Sequence, residues 1–432
     1  MSWIPELFLF MGILFALLLG GLWVPFSIGV AGVVSIYLVD GITGFRALGL
    51  VTWGTVNSFT LTAIPLFILM AEILQISGVG ARFYRGLAYV VRPLPGGLLQ
   101  TNVASCAMFS AISGSSVATA AVMATVSVPQ MDAEGYDRSR SAGSLAAGGT
   151  LGILIPPSIP LIIYGAFTET SIVKLFMAGF VPGFLLALLF MLFIAGLSLL
   201  RPLPLRPTTQ TTGRTLLGSL VELIPLMVLM FVVLGSIYTG FATPTEAAAL
   251  GCAIATIVGA IWGRLTFMDI HFALRRSIQT SATLLFIVSM AFIFSYGVEN
   301  AGLGSKLTEA ILGLGLGKYS FLLTVIVLFL VLGCTLESVA MMVLTVPLLF
   351  GSVVSYGFDP IWFGIILVLL LEFGMLTPPF GINLFVIQGA SKYPLSLIVK
   401  GTVPYWFLIL GFVGLLTVFP EIVLFLPEMM SG

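Results

Sequence analysis

Charge is what this sequence has least of. Its 432 residues include 17 Lys or Arg and 17 Asp or Glu, only 8% of the chain, and they cancel to a net charge of zero. Soluble globular proteins carry about 25% charged residues, so a water-facing domain of this composition is excluded. Without a basic excess, so is a nucleic-acid surface. The single histidine, His271, cannot build a metal cluster or a Ser-His-Asp set. Cys106, Cys252 and Cys334 lie in apolar surroundings with no paired spacing, and read as small core residues rather than a disulfide or metal framework. No GxxxxGK[ST] stretch occurs, which argues against direct ATP drive. The start of the chain lacks the basic segment of a cleavable signal. An enzyme would need a catalytic constellation, and none is found.

Hydrocarbon fills the chain instead: 59% of residues are hydrophobic and the mean hydropathy is +1.18. The apolar runs, such as 7–22 and 176–200, are long and continuous, unlike the weak alternation of a β-barrel. The fold class is therefore all-α, a polytopic protein of the lipid bilayer. Crossings of about 20 residues are predicted at 5–22, 24–41, 56–76, 142–166, 176–200, 217–238, 245–262, 278–298, 361–390 and 402–426. Two other apolar stretches, 97–129 and 320–356, carry polar clusters at mid-length, Ser113-Gly-Ser-Ser116 and Gly333-Cys-Thr-Leu-Glu-Ser338. A plain span has no use for such a cluster, whereas a hairpin that enters and leaves on one face needs a turn there. Both are read as re-entrant hairpins. Charge placement agrees with this. With the N-terminus outside, thirteen of the seventeen Lys and Arg fall inside, and Arg46, Lys174, Lys306 and Lys318 fall outside. Arg92 and Arg138 share a side only if 97–129 turns back.

Two crossings cannot be simple helices. Gly152-Ile-Leu-Ile-Pro-Pro-Ser158 and Gly374-Met-Leu-Thr-Pro-Pro-Phe-Gly381 each place two prolines inside an apolar run, removing backbone donors and clashing with the preceding turn. The two Pro-Pro pairs are 222 residues apart, as are Ser116-Val-Ala118 and Ser338-Val-Ala340, and Val181-Pro182 and Val403-Pro404. The chain therefore divides into a first repeat over 1–200, a Thr- and Pro-rich linker over 201–216 on the cytoplasmic side, and a second repeat over 217–432. With five crossings and one hairpin in each, the second copy is inverted. Inverted repeats with broken helices are characteristic of secondary transporters that bind near the midplane. The segments 78–92 and 302–318 are predicted to lie as arms along opposite surfaces.

The first hairpin offers Ser113, Ser115, Ser116 and Thr119, and the first break offers carbonyls around Gly152, Ile155 and Pro157. Neutral oxygens without nitrogen or sulfur suit a hard monovalent cation. The repeat implies a second site from Gly333, Thr335, Gly374, Thr377 and Pro379. A single serine in such a helix is ordinarily a packing residue, but clusters beside breaks in both halves are read as sites. An anionic substrate would sit between the tips, near half-helix N-termini. Ser115, Ser116, Ser158, Glu337, Ser338 and Asn383 are the candidate substrate contacts there. Glu337, at the second tip, is also open to three roles: ion ligand, proton carrier, or partner for backbone groups at the break. Glu372 is a second intramembrane carboxylate of unassigned role.

Gly114-Ser-Ser-Val-Ala-Thr-Ala-Ala121, Leu154-Ile-Pro-Pro-Ser-Ile159 and Gly374 through Phe385 resemble the large membrane (M) subunit of tripartite ATP-independent periplasmic (TRAP) transporters. Gly357-Phe-Asp-Pro-Ile-Trp-Phe-Gly364 and Pro244-Thr-Glu-Ala-Ala-Ala249 fit the same family. The resemblance implies Na⁺-driven import of a carboxylate-bearing solute, delivered by a periplasmic solute-binding protein. It implies an elevator-type, ion-transporter-like fold, and a small four-helix membrane subunit supplied as a separate chain. It also implies a bacterial inner membrane, with both termini periplasmic. By this similarity Ser110 and Ser113, with Gly152, Ile155 and Pro157, would hold one Na⁺, and Gly333, Thr335, Thr377 and Pro379 another. Glu337 stands where many relatives have Asp. The alternative is a stand-alone Na⁺- or H⁺-coupled organic-anion symporter or antiporter without a binding protein. Sialic acid, C4-dicarboxylates, keto acids and aromatic acids all remain open as cargo.

Overall fold

The computed structural model describes residues 3–201, 215–333, 336–379 and 381–430. Among them every regular element is a helix. Among the described residues seven helices are long and apolar enough to cross a membrane: Val24–Val56 taken together, Ile172–Leu200, Leu216–Tyr238, Pro244–Ile261, Phe267–Asn300, Ser338–Ser355 and Leu395–Val418. The chain is a multi-pass membrane protein.

One group of helices forms a frame. Val24–Asp40 lies along the 34-residue helix Phe267–Asn300, and Ala63–Ser77 lies along Pro244–Ile261. Small residues allow these approaches, because lipid offers no hydrophobic drive and close van der Waals packing must hold the helices. A Cβ on Gly32 would sit 2.8 Å from the backbone of Phe294, so only glycine fits there. Helix Pro244–Ile261 starts on a capping box, in which the Thr243 hydroxyl accepts from the Glu246 N–H and the Glu246 carboxylate accepts from the Thr243 N–H. Gly78, left-handed at φ 75°, ends Ala63–Ser77 and starts Val79–Val91, and the two axes bend by 72°. Leu303–Gly313 is likewise a separate helix, begun by Gly302 at φ 65°.

The second group is an inner bundle. Leu98–Ser113 and Ser116–Glu134 form one helical hairpin, and Lys318–Gly333 and Ser338–Ser355 pack together as another. Arg138–Thr150 runs into a short 3₁₀ turn and stops; Ser158 then caps Ile159–Thr168. Pro360–Leu376 stops at Thr377, and Ile382–Ser391 follows. Both Pro-Pro bonds, Pro156-Pro157 and Pro378-Pro379, are cis. Helix Pro360–Leu376 is buried at every position from Trp362 to Leu376, so no face of it is left for lipid.

The halves interlock through this bundle. Leu395–Val418 crosses Arg138–Thr150 where Gly401 meets Gly143 and the Ser139 carbonyl. Ser139 donates to the Leu397 carbonyl at 3.2 Å, Tyr393 to Asp132 at 2.7 Å, and Tyr164 to the Pro360 carbonyl at 2.7 Å.

Several predicted bounds shift. The stretch 56–76 begins as a helix only at Ala63, after a separate helix Phe45–Val56 that the sequence reading missed. The run 402–426 is two helices, Leu395–Val418 and Glu421–Met429, parted at Pro420, whose missing donor and ring oppose continuation. His271 lies in the first turns of Phe267–Asn300. Residues 202–214 of the linker, and Cys334, lie outside the described residues.

Candidate functional site

Each hairpin tip is folded against the break that follows it in the chain. In the first half, Gly114 (φ 57°) ends the incoming helix and Ser115 caps the outgoing one, its hydroxyl accepting from the Ala118 N–H. A Cβ on Gly152 would lie 2.7 Å from the carbonyl of Ser115 and from the Cα of Ser116, so tip and break touch backbone to backbone. A Cβ on Gly114 would likewise lie 2.7 Å from the Pro157 carbonyl oxygen. Ser116 donates to the Thr150 carbonyl at 3.1 Å, and the Ile159 N–H donates to the Gly114 carbonyl at 3.4 Å. The Ser113 and Thr119 hydroxyls share a hydrogen bond of 2.6 Å, and Ser158 donates to the Ile153 carbonyl.

Six of the predicted residues are thus gathered here: Ser113, Ser115, Ser116, Gly152, Pro157 and Ser158. Ser110 is one turn down the hairpin and donates to its own helix at the Cys106 carbonyl, 2.6 Å away. The Ile155 side chain packs towards Gly183 of Ile172–Leu200. The donor set of hydroxyls and carbonyls, without nitrogen or sulfur, fits a hard cation. Among the described residues no group of three or more His, Cys, Asp or Glu could hold a metal.

The second half repeats the contact with different atoms. A Cβ on Gly333 would lie 2.6 Å from the Gly374 Cα, so glycine meets glycine. Glu337 caps Ser338–Ser355, accepting from the Ala340 N–H at 3.3 Å and from the Ser338 hydroxyl at 3.2 Å. These bonds are to the start of its own helix at the hairpin tip, not to backbone at the Pro378-Pro379 break. Thr377 donates to the Phe373 carbonyl at 2.8 Å and accepts the Gly381 N–H through its own carbonyl at 3.0 Å, spanning the break that holds Pro379. Thr335 lies outside the described residues.

Asn383 sits in the first turn of Ile382–Ser391, a helix that packs on Ser116–Glu134 of the other half's hairpin. It is fully buried, and neither its amide nitrogen nor its oxygen has a hydrogen-bond partner. Glu372 is also fully buried, with both carboxylate oxygens unpartnered. Native proteins leave few such groups, because each forfeits its hydration without recompense.

Two features of the site were missed in the sequence. The Thr150 carbonyl, as a helix-end acceptor, could have been suspected from the break alone. The ion pair of Arg92 with the buried Glu134, at 2.9 Å, ties the arm Val79–Val91 to the base of the first hairpin. Its only signal was an arginine just before a hairpin.

Two helical hairpins folded onto two interrupted helices, inside a frame of spans, define a transporter-type membrane protein. The same fold is found in the YdaH transporter of Alcanivorax borkumensis, 17% identical, with a TM-score of 0.62 over 89% of this chain and 90% of that one. Residues 11–422 match the family described as the tripartite ATP-independent periplasmic transporter, DctM component. The C4-dicarboxylate TRAP transporter large permease protein DctM of Pseudomonas aeruginosa is 34% identical over 93% of this chain and 94% of its own length. The sialic acid TRAP transporter large permease protein SiaM of Vibrio cholerae is 30% identical over 99% of both. This chain belongs to the DctM family of TRAP transporter large permeases.

Proposed function

We propose that the protein is the large permease of a Na⁺-driven importer of small organic acids, C4-dicarboxylates and sialic acid being the cargoes named for its relatives. One observation carries the reading: in each half a hairpin tip meets a helix break through glycine, at Gly152 and at Gly333 with Gly374. Freed carbonyls and helix ends are tolerated at membrane depth only where protein or a cavity covers them, and in the first half the Thr150 carbonyl is met by the Ser116 hydroxyl of the tip. Ser110, Ser113, Gly152, Ile155 and Pro157 hold one Na⁺; Gly333, Thr335, Gly374, Thr377 and Pro379 hold the other. The anion lies between the tips, with Ser115, Ser116, Ser158, Glu337, Ser338 and Asn383 as its contacts.

The two halves form an inverted repeat. In support, a shift of about 220 residues exchanges the two frame pairings, Val24–Asp40 with Phe267–Asn300 and Ala63–Ser77 with Pro244–Ile261. The inner bundle, 98–200 and 318–429, moves as an elevator against the frame. The protein sits in the bacterial inner membrane with both termini periplasmic. It works with a small four-helix membrane subunit and a periplasmic binding protein, as "tripartite" in the family's description implies.

Reconstitution tests this. Uptake into proteoliposomes should require Na⁺, the small subunit and the loaded binding protein together. Gradient-driven uptake by this chain alone would overturn the tripartite reading in favour of a stand-alone symporter.

A further inference from the structure

A cleft of about 860 Å³, in the size range of small-molecule sites, is lined by none of the hairpin-tip residues. One wall comes from the inner bundle, Gly165 to Val173. The other comes from the frame, through 51–61, Thr243–Thr245 and the Phe292–Glu299 end of the long helix. The walls meet at Phe167 and Phe292, whose rings stack 4.2 Å apart at an interplanar angle of 7°.

Its chemistry is one-sided. Glu169 and Glu299 line it, and among the described residues no Lys or Arg does. Helix dipoles do not reverse that sign. Helices begin beside the cleft at Ser171 and Thr243, and helices end beside it at Thr168 and Asn300, so their partial charges oppose one another. The start at Thr243 is further neutralised by the Glu246 carboxylate. Two carboxylates remain, Glu169 and Glu299, the latter accepting from the Ser295 hydroxyl, beside aromatic rings at Phe167, Phe292 and Tyr296 and hydroxyls such as Thr55, Ser58 and Thr170. That combination repels an organic acid, so the cleft is no second seat for the cargo.

We propose that this cleft binds a small organic cation, an amine or quaternary ammonium carrying an apolar group. The charge pairs with Glu169 and Glu299, and the apolar part lies on the aromatic wall. Resting on the elevator reading above, a ligand that spans one moving and one fixed wall acts as a wedge and slows transport without competing with the acid.

The test uses the purified full chain and benzyltrimethylammonium as probe, titrated calorimetrically beside the neutral N,N-dimethylbenzamide. We expect saturable binding of the cation, weaker or absent binding of the amide, and a dissociation constant raised roughly tenfold in Glu169→Gln/Glu299→Gln, as loss of charge pairing would give. Phe292→Leu, which keeps both carboxylates, should weaken binding less than the double variant. No binding, equal binding of the neutral amide, or unchanged affinity in the double variant would overturn the proposal. Because binding is read without transport, a failure of the cleft is distinguishable from a failure of the transport reading. In proteoliposomes the cation should lower the maximal uptake rate and leave the KM for the acid unchanged; a raised KM would overturn the wedge.

Discussion

The two tip-and-break contacts occupy matched places and are built from opposite materials. The first is neutral throughout. Its hydroxyls are already engaged, Ser113 with Thr119, Ser116 with the Thr150 carbonyl and Ser158 with the Ile153 carbonyl. The second has a carboxylate as its helix cap, a bare glycine-to-glycine approach, and two buried side chains near the break, Glu372 and Asn383, with nothing to bond. A satisfied network is rigid before any ligand arrives, whereas unsatisfied groups wait for a partner. In the proposed transport cycle the first half is therefore a preformed cage. The second half depends on its occupant.

The sharpest way to break this contrast is to separate tip from break. Gly152→Ala places a methyl 2.7 Å from the Ser115 and Ser116 backbone, and Gly333→Ala one 2.6 Å from Gly374, where no flexible side chain can yield. Overpacking of this kind costs about 1–3 kcal/mol. Uptake in proteoliposomes should fall to roughly a tenth or less while the protein still purifies as a folded species. Wild-type uptake in either would remove that contact from the mechanism.

The next variant asks whether the second half trades stability for a site. The residue 222 positions before Asn383 is Leu161, buried and apolar. Asn383→Leu removes two unpartnered polar atoms at nearly constant shape, so the variant should be more stable by about 1 kcal/mol yet transport poorly. Thermal unfolding and uptake are read together. Undiminished uptake would make Asn383 a packing oddity and leave the halves more alike.

The smallest effect concerns the hydroxyls. Ser113→Ala should raise the Na⁺ concentration for half-maximal uptake about fivefold, the worth of one hydrogen bond or ligand. Thr377→Ala, whose hydroxyl is bonded back to Phe373, should raise it by about twofold or less. Equal shifts would erase the contrast between a cage and an occupant-dependent site.

Much of the architecture is legible in the sequence for reasons that are local. Membrane class follows from composition. The stops at Thr150 and Leu376 follow from proline pairs, and the hairpin turn at Gly114-Ser115 from a glycine and a capping hydroxyl within an apolar run. Where hydropathy is uniform, that reasoning runs out. Phe45–Val56 has no proline to set it off from its neighbours and hydropathy alone does not bound it, whereas the division at Pro420 carries a local signal, the proline itself. At the candidate site, residue types beside the breaks can be read off. That Asn383 and Glu372 lack partners, or that Arg92 meets Glu134, is a matter of tertiary placement and has no signature in spacing.

The long helix Phe267–Asn300 has one more consequence. At 1.5 Å per residue its 34 residues measure about 51 Å, against a hydrocarbon core of about 30 Å. Its first turns carry Asp269, His271, Arg275 and Arg276, none of them buried, which marks the end that stands clear of lipid. An element so mismatched to the bilayer has to tilt or protrude, and it meets Val24–Asp40 closely, the Phe294 backbone against Gly32 and Gly297 against the Ser35 hydroxyl. The frame is thus a post taller than the sheet it pierces, anchored by its charged foot; in the proposed elevator it sets the depth from which displacement of the inner bundle is measured.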